Sequence, residues 1–264
     1  MLEDDFTYVI RKAFKGLALA PGEAALRAGL PENEVLSFSR GNFSQEIARR
    51  LAPVLGLNPE ALANHMIYHP RPIDRAEIQR LDLPFGQEQV NAWLVDFGTS
   101  RFLFDTGNDP HSCLDAISAL NADLPNLVFI THGHRDHIGG VPSLEALDIP
   151  ILGPEMTGAK KFSAGELWDL NGDGNFLLQG IDLSGHYVPS VGVLLRETGR
   201  PPLLVTGDAL FAGSIGGCDT PELYQLALRN LRAALAPLPD ETILLPGHGP
   251  ATTLGEERVS NPFL

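Results

Sequence analysis

Four residues of the kinds that bind metal ions lie within a stretch of six: His132, His134, Asp136 and His137. They follow a short apolar run at 127–130, which predicts a buried strand, and they precede a predicted helix. In the extended chain that leaves a strand, residues two positions apart point the same way, so His132 and His134 face one point. The turn into the helix brings Asp136 and His137 round to a second point. Two adjacent metal ions would satisfy this geometry.

Imidazole and carboxylate ligands together suit zinc, iron(II) or manganese. The cluster contains no cysteine, which argues against a closed structural zinc site and favours an open, hydrolytic centre. Three later residues, His186, Asp208 and His248, have a similar context, because each ends a predicted strand beside a glycine. Glycine lets the backbone pass close to a crowded site. The other three histidines, His65, His69 and His111, stand alone and are interpreted as ordinary polar side chains.

The elements that position these residues follow from the spacing of apolar side chains. Two alternating segments, 89–97 and 101–105, flank a Gly98-Thr99-Ser100 turn and predict a β-hairpin. Apolar runs predict further strands at 127–130, 149–152, 191–195, 203–205 and 243–245, and helical spacing predicts helices at 112–120 and 222–236. Strands that alternate with helices indicate a layered α/β domain.

The first 70 residues have a different character. They carry seven basic and eight acidic side chains, whereas the other 194 residues carry 12 basic and 25 acidic ones. Proline, glycine and capping residues divide this region into five short predicted helices, which we expect to form a small all-α bundle. The segment 69–72 disfavours both helix and central strand, because it contains two prolines. We therefore place a linker there, between domains at 1–70 and 73–264.

The helix spacing of residues 20–65 resembles that of helix-turn-helix domains of the phage-repressor type. A helix that reads DNA normally brings arginine or lysine to the phosphates, but the candidate recognition helix at 31–40 carries Glu32 and Glu34, with only Arg40 at its end. The formal charge of −14 also disfavours nucleic acid as a partner. A metabolite-sensing DNA-binding regulator is the alternative of a different class. Otherwise the bundle packs on the second domain, forms a homodimer surface or covers the active site as a lid.

The composition excludes several classes of protein. With 264 residues, 44% of them hydrophobic and 20% charged, the chain is typical of a soluble globular protein. Its acidic start does not resemble a secretory signal, and no apolar run approaches the roughly 18 residues of a membrane span. Two cysteines, Cys113 and Cys218, are too few for a disulfide framework. We expect a cytoplasmic protein that does not bind membranes.

One further motif, at 169–175, matches the first half of a calcium-binding loop. The twelfth position of such a loop should be acidic, but here it is Gly180. We therefore expect a plain turn or hairpin at this segment.

The pattern of histidines and aspartates over residues 73–264 resembles that of the metallo-β-lactamase fold superfamily. The resemblance implies an αββα four-layer sandwich, here preceded by the helical bundle. It also implies one metal ion on His132, His134 and His186, a second on Asp136, His137 and His248, and Asp208 as a bridge between them. Asp105, at an earlier strand end, would orient the ligands from behind. The alternative is that Asp105 only caps the turn at 105–108.

Two finer strings, 207–216 and the tail from Leu245 to Leu264, resemble the glyoxalase II (hydroxyacylglutathione hydrolase) group, and within it the short bacterial members. Two positions depart from that group. Tyr187-Val188-Pro189 replaces the usual Thr-Pro-Gly, and Gly217 stands where an arginine is common. Tyr187 is interpreted either as a substrate contact, through an apolar wall or a hydrogen bond to an oxyanion, or as a packing residue.

The implied chemistry is hydrolysis by a hydroxide that bridges two divalent metal ions, with zinc as the first expectation and Asp136 as the catalytic residue that orients the hydroxide. A thiol with a pKa of about 8.5 leaves as thiolate, whereas an alkoxide or amine needs a proton donor that the cluster does not offer. We therefore expect a small acyl thioester as substrate. A lactonase or other ester hydrolase on the same metal ions is the alternative, and a mononuclear iron persulfide dioxygenase ranks third.

Overall fold

Five short α-helices form the N-terminal part of the computed structural model, which describes residues 1–154 and 160–264. They are α1 (Phe6–Gly16), α2 (Pro21–Ala28), α3 (Glu32–Ser39), α4 (Gln45–Leu51) and α5 (Pro59–Asn64), with short 3₁₀ helices at Ala52–Leu55 and His65–Ile67. Side-chain caps define several starts: the Asp5 carboxylate accepts the N–H groups of Thr7 and Tyr8, and Ser44 accepts that of Ile47. The prediction of a helical N-terminal region is confirmed.

Two mixed six-stranded sheets follow among the described residues. The first sheet is formed in chain order by β1 (Ile78–Phe85), β2 (Glu88–Phe97), β3 (Ser100–Phe104), β4 (Leu127–Phe129), β5 (Ile151–Gly153) and β6 (Lys160–Lys161). The second sheet contains β7 (Leu167–Asp169), β8 (Phe176–Asp182), β9 (Val191–Glu197), β10 (Leu203–Gly207), β11 (Ile243–Pro246) and β12 (Thr252–Thr253), also with sequence neighbours paired. The remaining helices are α6 (Ser112–Ala119), α7 (Arg135–Ile138), α8 (Val141–Glu145), α9 (Pro221–Leu235) and α10 (Leu254–Ser260).

The predicted hairpin is present as the antiparallel pair β2 and β3. Phe97 pairs with Ser100, so the turn is only two residues long and Ser100 already belongs to β3. Gly98 has a φ of +65°, the left-handed backbone that such a tight hairpin turn favours. The calcium-like segment also lies in a hairpin, between β7 and β8, where the Asp169 carboxylate accepts the N–H groups of Gly172 and Gly174. This carboxylate therefore stabilises the turn.

Apolar side chains alternate between the two faces of the second sheet and build two of the three cores. Val205 and Leu245 lie between the sheets, where they pack against Phe104 and Phe129 of the first sheet. A third core covers the outer face of the first sheet with α6 and α8. The result is the predicted αββα four-layer sandwich. Among the described residues, no helix combines the length and apolar character that a membrane span requires.

The N-terminal helices and the outer face of the second sheet share one hydrophobic core. Leu204 and Leu244 belong to the same buried cluster as Tyr224 of α9 and Phe38 of α3. The contact between α1 and α9 is so close that a Cβ on Gly16 would lie 2.2 Å from the Tyr224 ring. The helical region is thus packed against the sandwich by the same apolar surface that covers the sheet.

Candidate metal centre

The seven candidate ligands follow four strands, one in the first sheet and three in the second. The His132–His137 segment follows β4 of the first sheet, and its last two ligands lie in α7. The second sheet contributes His186 after β8, Asp208 after β10 and His248 after β11. Strand ends from both sheets therefore meet at one edge of the sandwich and bring together side chains that lie up to 116 positions apart in the chain.

The first ligand group consists of His132, His134, His186 and Asp208, whose ligand atoms all lie within 4.8 Å of one another. Nδ1 of His134 lies 3.1 Å from Nε2 of His132 and 3.0 Å from Nε2 of His186. Nε2 of His186 lies 3.5 Å from Oδ2 of Asp208. Three ring nitrogens and one carboxylate oxygen thus converge on a single point, as the donor set of one cation requires.

The second ligand group consists of Asp136, His137 and His248. Nε2 of His248 lies 3.3 Å from Oδ2 of Asp136, and Nε2 of His137 lies 3.7 Å from the same oxygen. Asp208 also faces this group, since its Oδ1 lies 3.3 Å from Nε2 of His137. The Asp208 carboxylate therefore lies between the two groups, the placement that the predicted bridging role needs.

In three histidines, a hydrogen bond from Nδ1, on the side of the ring away from the ligand groups, directs Nε2 toward them. His186 donates from Nδ1 to the Gly217 carbonyl at 2.6 Å, and His248 donates from Nδ1 to the Gln89 carbonyl at 3.0 Å. His137 donates from Nδ1 to Oδ2 of Asp105 at 2.8 Å. Each bond fixes the ring orientation and holds a proton on the outer nitrogen, so that the inner nitrogen faces the ligand group.

Asp105 supports the cluster through Thr131, which was not among the predicted site residues. The Asp105 carboxylate accepts the Thr131 N–H at 2.8 Å and the Thr131 hydroxyl at 2.9 Å. The Thr131 oxygen lies 3.0 Å from Nδ1 of His132 and accepts its proton. One carboxylate thus orients His137 directly and His132 through a hydroxyl. The position of Thr131 immediately before the histidine motif is the one feature of the sequence that could have indicated this role.

Two glycines make this crowding possible. A Cβ on Gly247 would lie 2.3 Å from Oδ1 of Asp208, and a Cβ on Gly216 would lie 2.8 Å from the His186 ring. Neither position has room for a side chain. The expectation that glycine lets the backbone pass beside the ligands agrees with these two contacts.

The donor atoms fit a pair of cations. His137 Nε2 and Asp208 Oδ1 are buried, and neither makes a hydrogen bond within the described ranges 1–154 and 160–264. A buried polar atom without a partner is costly, and a cation between the two groups would satisfy both atoms. The set contains nitrogen and carboxylate oxygen but no sulfur, which suits zinc, iron or manganese.

Burial and mutual charge shift the pKa values within the cluster. Burial lowers the pKa of His132 well below its usual range, and the neighbouring His137 adds to this effect. At His137, burial also opposes protonation, but the carboxylates of Asp208 and Asp105 outweigh it and raise the pKa well above the usual range. At His248, burial is likewise outweighed, chiefly by the hydrogen bond to Asp136, which helps to raise the pKa to about 9. The second ligand group therefore concentrates a negative potential that attracts positive charge.

Tyr187 lies beside the first ligand group. Its ring centroid is 4.7 Å from that of His134 and 5.5 Å from that of His132. The hydroxyl is close to Gly133, where an added Cβ would lie 2.6 Å from it. Since His134, His186 and Tyr187 are only half-buried, this side of the cluster is the one open to a substrate.

The three isolated histidines lie outside the cluster. His69 and His111 are exposed, while His65 is buried and donates from Nε2 to the Gly213 carbonyl at 3.0 Å. Both cysteines are buried and unpaired. These residues agree with their interpretation as ordinary side chains.

Comparisons with known proteins agree with this geometry. A family model described as the metallo-beta-lactamase superfamily matches residues 85–248, a range that contains all seven candidate ligands. Hydroxyacylglutathione hydrolase GloC of Haemophilus influenzae is 30% identical over 212 residues, which cover 69% of this chain and 96% of that relative. The crystal structure of TTHA1623 in a di-iron-bound form matches with a TM-score of 0.53 at 30% identity, over 69% of this chain and 99% of the other. BLEG-1 B3 metallo-β-lactamase matches with a TM-score of 0.54 at 27% identity, over 71% and 99%.

Proposed function

Because the chain belongs to the metallo-β-lactamase superfamily, whose members are metal-dependent hydrolases, we propose that it is a dinuclear thioester hydrolase of the glyoxalase II type. The observation that carries this proposal is the Asp208 carboxylate between two complete ligand groups, 3.3 Å from His137 and 3.5 Å from His186. The relative from Haemophilus influenzae, which is matched over 96% of its length, supports the choice of substrate class. The natural acyl group is proposed to be small, and the leaving group to be a thiol.

The positions of the residues assign each of them a role in metal binding or in catalysis. His132, His134 and His186 would hold one divalent ion and Asp136, His137 and His248 the other, with Asp208 shared. Two bound cations, for which zinc, iron and manganese are candidates, would lower the pKa of a shared water from about 15.7 toward 7 and polarise the substrate carbonyl. The carboxylate of Asp136 orients the attacking water and accepts its proton.

The overall reaction adds water across the C–S bond. The water oxygen bonds to the acyl carbon, the C–S bond breaks, and its electron pair leaves with sulfur. A thiol of ordinary pKa, about 8.5, is a stable enough anion to leave without a proton donor. The described residues of the cluster include no separate acid, which is why a thioester suits this site better than an amide does.

Two measurements on the purified 264-residue chain test this proposal. Elemental analysis of protein prepared without added metal should give close to two equivalents of divalent metal, whereas a single equivalent of iron would favour the dioxygenase alternative. Metal-replete protein should release thiol from S-lactoylglutathione, and the His186→Ala variant should not. The matched control is His69→Ala, which removes an exposed histidine that belongs to neither ligand group. Metal-replete protein that turned over no thioester would contradict the proposal.

A lactonase or other ester hydrolase is the second candidate, and the position of Tyr187 favours it. The half-buried Tyr187 ring lies against His134, so its hydroxyl is a proton donor on the open side of the cluster. Such a donor helps an alkoxide to leave but is unnecessary for a thiolate. Comparing the rates of lactone opening and thiol release on one preparation separates the two functions.

We propose no nucleic-acid partner for the helical region. In α3 the first-turn side chains Glu32 and Glu34 are exposed, while Val35 and Phe38 are buried in the shared core. An acidic exposed surface repels phosphate. Retardation of duplex DNA by the purified chain at low salt would revive the regulator alternative.

A further inference from the structure

Lys12 of α1 carries a mostly buried charge to the loop at 211–217, which follows Asp208. Its ammonium donates to the Ile215 carbonyl at 2.7 Å, pairs with the Asp4 carboxylate, and lies 5.2 Å from the centroid of the Phe211 ring. The Lys12 side chain is only 15% exposed. A buried ammonium requires such partners, because removing it from water is costly unless the charge is paired and hydrogen-bonded.

The same loop determines the position of a metal ligand. The carbonyl of Gly217, two residues after Ile215, accepts the Nδ1 proton of His186 at 2.6 Å. Between them, Gly216 lies against both the His186 ring and the Asp208 carbonyl, with no room for a Cβ. Lys12 therefore holds one end of a three-residue segment whose other end orients His186.

We propose that Lys12 is a positioning residue of the metal centre. By holding the Ile215 carbonyl, it keeps the Gly217 carbonyl aimed at Nδ1 of His186, so that Nε2 of that ring points into the first ligand group. The ammonium is paired with Asp4, so it acts through loop geometry and not as a free charge near the cations. This proposal rests on the dimetal site of the proposed function, although not on its substrate.

The proposal gives the N-terminal helices a role in the site. The match to the superfamily model begins at residue 85, so α1 lies outside the matched range. Its docking is nevertheless firm, because Gly16 packs directly on Tyr224 of α9. Helix α1 is thus packed on the sandwich, and from it Lys12 reaches the ligand loop.

The test compares two lysines of the same helix. Lys12→Met keeps the apolar stem and removes the ammonium. Lys15→Met is the matched control, because Lys15 pairs with Asp219, just beyond this loop, but its side chain is 55% exposed. The metal-free wild type and variants of the 264-residue chain are titrated with Zn²⁺ against a chromophoric chelator. Lys12→Met should lower the affinity of the His132, His134 and His186 site by about tenfold, the lower end of the effect of losing a residue that orients a ligand. The other site should change by less than about threefold.

A second readout detects the orientation of His186 itself. In the wild type, ¹⁵N NMR of the imidazole rings should show His186 protonated at Nδ1, whereas Lys12→Met should show a mixture of the two tautomers. Lys12→Arg keeps a cationic donor and should restore both the affinity and the single tautomer. A role limited to fold stability would move neither signal in a folded variant.

Three results would overturn the proposal: unchanged zinc affinity and tautomer in folded Lys12→Met, an equal loss in Lys15→Met, or no rescue by Lys12→Arg. If Lys12→Met does not fold, the isosteric Asp4→Asn variant takes its place, since it removes only the charge that holds the ammonium. It should weaken the same site by about threefold or more, and an unchanged affinity would again overturn the proposal. A wild type that bound fewer than two zinc ions would instead refute the proposed function.

Discussion

The Asp105 carboxylate accepts the Nδ1 proton of His137 at 2.8 Å, and both side chains are almost completely buried. This bond fixes which nitrogen of His137 faces the ligand cluster. The same carboxylate also accepts two hydrogen bonds from Thr131, so its own orientation is fixed in turn. Asp105 is therefore more than the cap of a turn.

The variant Asp105→Asn should weaken metal binding without unfolding the chain. An amide of the same shape keeps only one acceptor oxygen, so it cannot accept all three protons, one from His137 and two from Thr131, and its NH₂ group would face one of these donors. We expect a loss of about tenfold or more in zinc affinity at the second ligand group, measured by chelator competition. Asp109→Asn is the control, because Asp109 makes the same kind of backbone hydrogen bonds in an exposed turn. Equal affinities in the two variants would show that Asp105 does not orient a ligand.

Replacing Asp136 by Ala should abolish turnover while the chain stays folded. The carboxylate lies in the second ligand group and is the proposed acceptor of the water proton, and such proton transfer contributes about 10²- to 10⁴-fold to rate. We expect a fall in kcat of at least about 10²-fold, with an unchanged circular dichroism spectrum. Asp123→Ala removes an exposed carboxylate and serves as control. Retained activity in Asp136→Ala would contradict its role.

The variant Tyr187→Phe distinguishes the two candidate substrate classes. It removes the hydroxyl and keeps the ring that packs on His134. Thiol release should change by less than about threefold, since a thiolate leaves unprotonated, whereas lactone opening should slow by about tenfold or more. Steady-state kcat is measured for both substrates. A large loss on the thioester would mean that the hydroxyl stabilises an oxyanion instead.

The buried His65 should make the free energy of unfolding depend on pH. Burial lowers the pKa of this histidine, and its hydrogen bond to Gly213 and the nearby Asp4 and Asp5 only partly offset that effect. The unfolded chain, with an ordinary pKa of about 6.5, therefore binds a proton that the native chain does not, and stability falls as the pH drops below about 6.5.

His65→Gln removes this titration. Between about pH 5 and pH 7, urea denaturation of the metal-free protein should show a slope shallower than in wild type by up to about 1.4 kcal/mol per pH unit. His111→Gln, which replaces an exposed histidine, should leave the slope unchanged. Identical slopes for wild type and His65→Gln would refute the prediction.

The variant Gly16→Val should destabilise the helical region and the sandwich together. Its side chain would overlap the Tyr224 ring, and overpacking of this kind costs about 1–3 kcal/mol. The two tryptophans, Trp93 and Trp168, lie in β2 and β7, so their fluorescence reports on the sheets alone. We expect fluorescence and far-ultraviolet circular dichroism to give one shared urea transition at lower denaturant. Lys15→Val, at the neighbouring exposed position, controls for helix propensity. If the urea transition moved only when measured by circular dichroism, the helical region would unfold independently of the sheets.

The ligand cluster could be predicted from the sequence because short local patterns mark its residues. Three histidines and an aspartate in six residues, and a glycine beside each later ligand, mark strand ends where side chains converge. The strands at 191–195, 203–205 and 243–245 were likewise predictable, since each is an apolar run bounded by turn residues. Their observed bounds extend one or two residues further.

Other features depend on contacts between distant segments. Strand β1 (Ile78–Phe85) was not predicted, because the proline and the charged side chains at Arg80, Asp82 and Pro84 disfavour a strand locally, although they alternate with apolar residues. Its pairing with β2 supplies what the local pattern lacks. The contact of Lys12 with Ile215 joins residues 203 positions apart and has no local signal. The core that α1 and α3 share with the second sheet could not be predicted either, because it also joins segments that are distant in the sequence.

The division of ligands between the sheets gives the cations a mechanical role as well. Four ligands come from the first sheet and three from the second, so each bound ion would tie the two halves of the sandwich together across their edge. A chain with two buried, unpaired thiols has no covalent cross-link of its own among the described residues. The two metal ions would act as the cross-link between the sheets. The concentration of divalent cations would then affect the free energy of unfolding as well as the rate of turnover.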